Sequence, residues 1–250
     1  MTNACITPAP DYPPPDLPTD LAPVQPPLRI GTSSIIPLPS INRHIVIKED
    51  ASIGNGGRTW EAAEYLTLYL EALPGSFWHS RAKIVELGAG TGVLGFAVAM
   101  LLSHHNAAAT MNITDLPVML PLISSNAATN LNQDESSRVR ASELVWGGTL
   151  SEYHKTQVPY DLILCADCVY LEGLFEPLLG TLEELACGTT EILLCSKKRR
   201  RADKRFFTML KKKFHVEEVK DAPKYEEYTR DGLIILRASK KTVVDANTMS

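Results

Sequence analysis

The sequence predicts an α/β domain with a mostly parallel, seven-stranded sheet and helices on both of its faces. Three observations predict it. Seven short apolar runs recur from residue 83 onward, helical patterns fall between them, and a glycine-rich turn joins the first run to the first crossover helix. Strands buried on both faces have this near-continuous apolar character.

The elements follow in order. Eleven of the 17 prolines fall between Pro8 and Pro39, among hydrophobics with no period, so residues 1–40 read as a disordered or partly extended arm. The domain is expected over residues 41–240, with a short tail at 241–250. Ile41, Ile45, Val46 and Ile47 predict a short strand, and Gly54 to Gly57 a turn. Ala62, Ala63, Leu66, Tyr69, Leu70 and Leu73 form a helical stripe over 60–73, which Pro74-Gly75 stops. Strands are then expected at 83–87, 111–114, 139–146, 161–166, 191–196, 215–219 and 233–237, with helices over 93–103, 117–131, 174–186 and 202–213.

Composition narrows the function. A chain of 250 residues that is 44% hydrophobic and 22% charged supports a real core. A net charge of -4 offers no global field for nucleic acid or an anionic membrane. The longest apolar run, Val93 to Leu102, is far below the ~18 residues of a membrane span, and the N-terminus has no basic-then-apolar leader pattern. Five irregularly spaced cysteines fit a reduced cytosolic or nuclear protein better than a disulfide framework, and a cytoplasmic location, no membrane contact and a monomer are expected.

The most informative stretch is Val85-Glu86-Leu87-Gly88-Ala89-Gly90-Thr91-Gly92-Val93-Leu94-Gly95, a strand running through glycines into a helix. Such a Rossmann-like turn lets a ligand approach the main chain closely, and a nucleotide cofactor is its natural occupant. Gly90, Gly92 and Gly95 satisfy the dinucleotide fingerprint, and Asp115 stands about where a ribose-binding acid belongs. The turn by itself therefore leaves NAD and S-adenosylmethionine both open.

Four segments in this order carry a resemblance: the glycine stretch, Thr114-Asp115-Leu116-Pro117, Val145-Trp146-Gly147, and Ala166-Asp167-Cys168-Val169-Tyr170. Together they resemble the seven-β-strand protein-lysine methyltransferases of family 16, most closely the fungal elongation-factor methyltransferases. Gly57-Arg58-Thr59-Trp60-Glu61-Ala62 resembles the family's segment before its first helix, and Ser196 to Arg200 followed by Arg205-Phe206-Phe207 resembles the fungal branch. The likeness spans about residues 41–240 and leaves the Pro-rich arm out. It implies S-adenosylmethionine as cofactor and a lysine of a protein, a translation elongation factor, as substrate. It also implies that Gly88, Ala89 and Gly90 meet the methionine part, Asp115 the ribose hydroxyls and Trp146 the adenine. The Ala166 main chain and Glu86 then lie beside the pocket, and Trp60 closes it. An acceptor-only carboxylate suits a vicinal diol and an aromatic face a flat base. Trp146 as a core aromatic, Trp60 as a helix-start anchor and Glu86 as a cap on the turn are the structural alternatives.

Asp167 to Tyr170 follow a strand at its carboxyl end, where open α/β sheets bind ligands. A free lysine, with a pKa of about 10.4, must lose a proton before it attacks a methyl group. A neighbouring cation and an apolar channel lower that pKa, and a carboxylate orients the amine. Asp167 is expected to contact the amine, and Tyr170 to wall the lysine channel. The alternatives are a turn or N-cap for Asp167 and helix packing for Tyr170. The Asn/Asp-Pro-Pro-aromatic motif of adenine and amide-nitrogen methyltransferases is absent here, which favours an aliphatic amine. An RNA or small-molecule methyltransferase and a cofactor-binding module without turnover are the competing readings.

Other features carry less. Cys165-Ala166-Asp167-Cys168 lacks a second pair at zinc spacing, and His104-His105 suits a helix C-terminus, so no metal is expected. Lys197 to Arg201 form a basic run that reads as a solvated face, a docking site for the protein substrate, a nucleic-acid contact or a nuclear-import signal.

Overall fold

The computed structural model describes residues 33–198 and 203–241. Among the described residues, nine strands form two sheets. The first is a hairpin of β1 (Ser33–Leu38) and β2 (Arg43–Lys48), paired antiparallel with Ile36 opposite Ile45. The second comprises β3 (Lys83–Leu87), β4 (Thr110–Asp115), β5 (Val139–Glu143), β6 (Leu162–Ala166), β7 (Glu191–Lys197), β8 (Phe214–Glu218) and β9 (Leu233–Lys240). Its order is β5-β4-β3-β6-β7-β9-β8, parallel from β3 to β7, with β9 antiparallel to both of its neighbours. Chain order reverses between β3 and β6, so the topological switch point lies at their carboxyl ends.

Alternate residues of these strands face different cores. Ile84, Met111, Ile113, Leu162, Leu164 and Leu193 join one apolar cluster, while Val85, Leu87, Ile163, Cys165, Ile192 and Leu194 join the other. Both sheet faces are covered, which is why the strands read as unbroken apolar runs. The first face carries α1 (Glu61–Glu71) and α3 (Val93–His104), and the second carries α7 (Phe175–Leu185) and α8 (Asp203–Lys213). Helix α3 is buried from Val93 through Leu102 because α1, the hairpin, α5 (Gln133–Arg138) and β4 surround it. A helix apolar all round is what such a position demands. Completing the chain are α2 (Gly75–His79), α4 (Leu120–Asn130), α6 (Glu152–Gln157) and α9 (Tyr225–Arg230).

The hairpin corrects the expected boundary at residue 40. Ordered structure begins by Ser33, and Ile36 and Leu38 are buried in the first core. Pro37 misled the reading, although an edge strand tolerates a residue without an N–H. The expected arm up to residue 32 and the tail from 242 lie outside the described residues. On its free side β2 is held by two asparagines of α4. Asn130 accepts from the Val46 amide at 2.7 Å and donates to its carbonyl at 2.8 Å, and Asn126 does the same to Lys48 at 3.0 Å each. Asn126 also donates to the Thr91 carbonyl of the glycine turn at 3.1 Å, so the hairpin and the turn share one side chain.

Two predictions arise here. A chain starting at residue 39 should melt roughly 5–15 °C below one starting at residue 33, since burying two aliphatic side chains contributes about 1.5–3 kcal/mol each. Equal melting temperatures for the two truncations would place the boundary where the sequence put it. Gly180→Ala on α7 should raise stability by about 0.5–1 kcal/mol in denaturant titration, because its added methyl meets nothing within 4 Å.

Candidate active site

The site is built on the turn from β3 into α3. Gly88, Gly90 and Gly92 have φ of +64°, +57° and +86°, a region that L side chains rarely adopt. The Ala89 amide donates to the Thr114 carbonyl at 3.1 Å and the Gly92 amide to the Ala89 carbonyl at 2.9 Å, fixing the turn against β4. Asp115, at the end of β4, completes it: one carboxylate oxygen accepts from the Gly90 amide and the other from the Leu116 amide, each at 2.7 Å. Burial pushes the Asp115 carboxyl up, and these two amides partly offset it. A carboxylate has about four acceptor positions, so two amides leave it capacity for hydroxyl donors.

Trp146 reaches the turn because β5 ends at Glu143, earlier than the sequence suggested, and Val145 to Gly148 form a tight turn closed at 3.0 Å. A Cβ at position 88 would stand 2.8 Å from the Trp146 ring and 3.4 Å from the Cys168 sulfur. The Cys168 thiol donates to the Leu87 carbonyl at 3.1 Å, which pins the loop after β6 beneath the turn. The Cys-x-x-Cys is therefore structural, with Cys165 and Cys168 both free thiols. The hydrogen bond with Cys165, then burial, holds the Cys168 thiol well above its ordinary value, which makes it a poor nucleophile.

Asp167 follows Ala166 with φ of +59°, an uncommon angle for a side-chain-bearing residue, and its amide donates to the Cys195 carbonyl at 2.8 Å. Its neighbours hold this strained angle in place, as functional positions often require. Half-buried Tyr170 lies within electrostatic reach of Asp115: burial first, then Cys168 and Asp115, pushes its phenol up. Ala166 is half-buried at the rim of the first core. Glu86 is fully covered, and one carboxyl oxygen has no hydrogen-bond partner among the described residues. It lies beneath the start of α3, 2.9 Å from where a Gly95 Cβ would stand, so it is a buried acid under the turn.

A strap between β2 and α1 covers the turn from the other side. A Cβ on Gly90 would stand 2.8 Å from the Gly56 carbonyl oxygen, and one on Gly56 would meet the Met119 sulfur at 3.1 Å. Thr59 Oγ1 and Thr91 Oγ1 are 3.1 Å apart, and the Trp60 indole donates to the Asn55 carbonyl at 3.0 Å. The structure thus gathers Gly88, Ala89, Gly90, Asp115 and Trp146 around one turn, Trp60 on the strap, and Asp167 and Tyr170 at the neighbouring strand end. Sequence reasoning missed the Gly56 contact, the Asn126 tie and the Cys168 bond. The first depends on backbone alone, and the others on residues distant in sequence.

A cleft of about 420 Å³ lined by Thr190, His215, Glu217, Arg237 and Ser239 stands at the amino-terminal end of β7, away from the turn. Among the described residues, no cluster of three or more metal-ligating side chains occurs, and no helix is long and apolar enough to cross a membrane.

A family model described as "Lysine methyltransferase" matches residues 40–213. The chain belongs to the lysine methyltransferase family. It is 39% identical to protein N-lysine methyltransferase METTL21A of Danio rerio over 179 residues, covering 71% of this chain and 78% of that protein. Protein-lysine N-methyltransferase EFM6 of Saccharomyces cerevisiae is 34% identical over 215 residues, covering 78% and 85% of the two chains. EEF1A lysine methyltransferase 3 of Mus musculus is 38% identical over 167 residues, 66% of each. The fold is shared with the solved mitomycin 7-O-methyltransferase MmcR at a TM-score of 0.54 and 10% identity, over 72% of this chain and 54% of that one.

This lysine methyltransferase takes its methyl group from S-adenosylmethionine. The residues present fit that donor: the glycine cradle admits no side chain, and a carboxylate with spare acceptors stands at its edge. Glu86 yields a prediction. Burial, then the Asp115 charge, pushes its carboxyl well above 4.5, and the Gly95 amide only partly offsets this. The folded protein therefore holds a proton there that the unfolded chain releases above pH 4.5, so this site's contribution to stability falls as pH rises from that value. Glu86→Gln removes the slope. Its melting temperature relative to wild type should rise between about pH 5 and about pH 8 in thermal scans, and a constant difference would refute the buried neutral acid.

Proposed function

We propose that this enzyme methylates the side-chain amine of a lysine in a translation elongation factor. What supports the substrate is the activity for which a relative, EEF1A lysine methyltransferase 3, is named. The observation that carries the chemistry is the loop after β6, where Asp167 is held at a left-handed angle beside the glycine turn.

Each residue then has a task. Gly88, Ala89 and Gly90 admit the methionine part along their main chain, and the free acceptor positions of Asp115 take the two ribose hydroxyls. Trp146 lines the adenine space together with the Ala166 main chain, while Trp60 covers the donor from the strap. Bound S-adenosylmethionine supplies an activated methyl group on a positive sulfur. Asp167 accepts a hydrogen bond from the incoming amine and orients its lone pair, and Tyr170 walls the apolar channel that favours the neutral amine. No strong base is required once the amine has shed its proton to water at the channel mouth.

Lys197 to Arg201 are proposed to dock the substrate. Lys197 pairs with Glu61, Lys198 is exposed, and Arg199 to Arg201 lie outside the described residues. We place the enzyme in the cytoplasm as a monomer, where elongation factors work. The deciding experiment incubates purified elongation factor 1A with enzyme and labelled donor and maps methyl-lysine by mass spectrometry. Label on one lysine of the factor is expected; label that enters only other proteins or RNA of a cell extract would overturn the substrate.

Asp115 provides a further test. Asp115→Ala should weaken donor binding by about 1.5–3 kcal/mol, and saturating donor should restore much of the rate. Asp115→Asn should do no better, because its amide nitrogen would face either the Gly90 or the Leu116 N–H, donor against donor. Calorimetry of the two variants checks both statements, and near-normal binding by the asparagine variant would contradict the two-amide geometry.

A further inference from the structure

The carboxyl end of the sheet is acidic where the donor must sit. Asp115 and Asp167 stand there, at the end of β4 and in the loop after β6. S-adenosylmethionine carries two positive centres, the sulfonium and the ammonium, together with one carboxylate. Acids and backbone carbonyls satisfy the positive centres and the ribose, but they leave the carboxylate unmatched, and a desolvated carboxylate needs a donor of opposite charge.

Among the described basic side chains at this end, Lys197 pairs with Glu61, Arg205 lies 3.8 Å from Glu172, and Lys198 is exposed. Arg58 differs from these. It is half-buried, its guanidinium carbon lies 5.8 Å from the centre of the Trp60 ring, and among the described residues its side chain makes no ion pair or hydrogen bond. Its position on the strap is fixed from both sides. Two residues before it, Gly56 presses its carbonyl on Gly90; the residue after it, Thr59, meets Thr91. A guanidinium with five donors and no acid partner is thus carried on the segment that covers the cofactor turn, stacked on the aromatic proposed to close it.

We propose that Arg58 binds the methionine carboxylate of S-adenosylmethionine, so that the strap recognises the amino-acid end of the donor as well as covering it. This rests on the donor assigned above. The donor's carboxylate then meets one arginine on the strap, while its cationic groups lie toward the carboxyl end of the sheet, where Asp115 and Asp167 stand. This pairing also explains why the guanidinium lies on Trp60 without an acid of its own, since a resident acid would compete with the donor.

The test compares two donors by calorimetry, S-adenosylmethionine and its decarboxylated analogue, which keeps the sulfonium, amine, ribose and adenine. Wild type should prefer the full donor by about ten- to a hundred-fold, the range of a charge-assisted hydrogen-bonded pair. Arg58→Ala should lose that preference by weakening the full donor alone, and Arg58→Lys should keep part of it. Equal weakening of both donors would mean that Arg58 only supports Trp60, and unchanged affinity for the full donor would leave the carboxylate to another group; either result overturns the proposal. Failure of wild type to bind S-adenosylmethionine at all would instead strike at the donor assignment, and the proposal would fall with it.

Discussion

Gly90→Arg is expected to abolish binding of S-adenosylmethionine and of its demethylated product, a loss of at least about a thousand-fold, and methyl transfer with it. Three effects act together at this position. A side chain at φ of +57° is strained, which costs about 1–3 kcal/mol. Its first carbon would also stand 2.8 Å from the Gly56 carbonyl oxygen and 3.6 Å from the carbonyl carbon, so the strap must move away from the turn. The rest of the arginine would then occupy the main-chain surface that the donor's methionine part requires, while the Gly90 amide would be dragged from its 2.7 Å bond to Asp115. Folding should survive, because the strain is comparable to a fraction of a domain's stability and the change lies at the edge of the core. Calorimetry with both ligands, after circular dichroism has verified the fold, checks the result. Residual binding within ten-fold of wild type would show that the donor does not lie along this turn, and NADH binding in wild type without S-adenosylmethionine binding would overturn the donor itself.

What could be read in the sequence followed from burial. Alternate residues of β3, β6 and β7 enter different cores, so an apolar run such as Lys83–Leu87 was legible as a strand covered on both faces. The glycine turn and Asp115 were legible because backbone angle and acceptor chemistry dictate residue type. β1 was hidden by Pro37 and Pro39, which look like the end of a proline-rich arm even though Leu38 between them is fully buried. The short helix α5 carries a signal in its sequence: the Asn132 side chain accepts from the Glu135 amide at 3.0 Å while Glu135 accepts from the Asn132 amide at 2.9 Å, a complete capping box. The strap's grip on the turn was not legible, because it is a contact of one glycine backbone with another. Nor did the sequence reveal that Glu86 is sealed under α3, since a buried acid and a cofactor-facing acid occupy the same place in the motif.

Asp167→Asn is expected to lower the rate of methyl transfer by roughly a hundred-fold or more at saturating donor and substrate, with donor affinity little changed. Asparagine is the informative substitution because of the φ of +59° at this position. Asn accepts the left-handed region nearly as well as Asp, so the change removes the negative charge while the loop and the 2.8 Å bond from the residue 167 amide to Cys195 remain. Alanine would remove the charge and also strain the backbone, which confuses the two causes. The mechanism then fixes the pattern of effects. A carboxylate that orients the amine acts mainly as the methyl group moves, so kcat should fall further than KM rises. Glycine at the same position should lose the rate equally, and its backbone tolerance separates loss of the carboxylate from loss of the loop conformation. The measurement is a steady-state titration of the protein substrate with each variant, beside donor binding by calorimetry and thermal melts. A wild-type rate for the asparagine variant would assign Asp167 to the turn alone, and the amine would then be oriented by Tyr170 or by a backbone carbonyl at the end of β6.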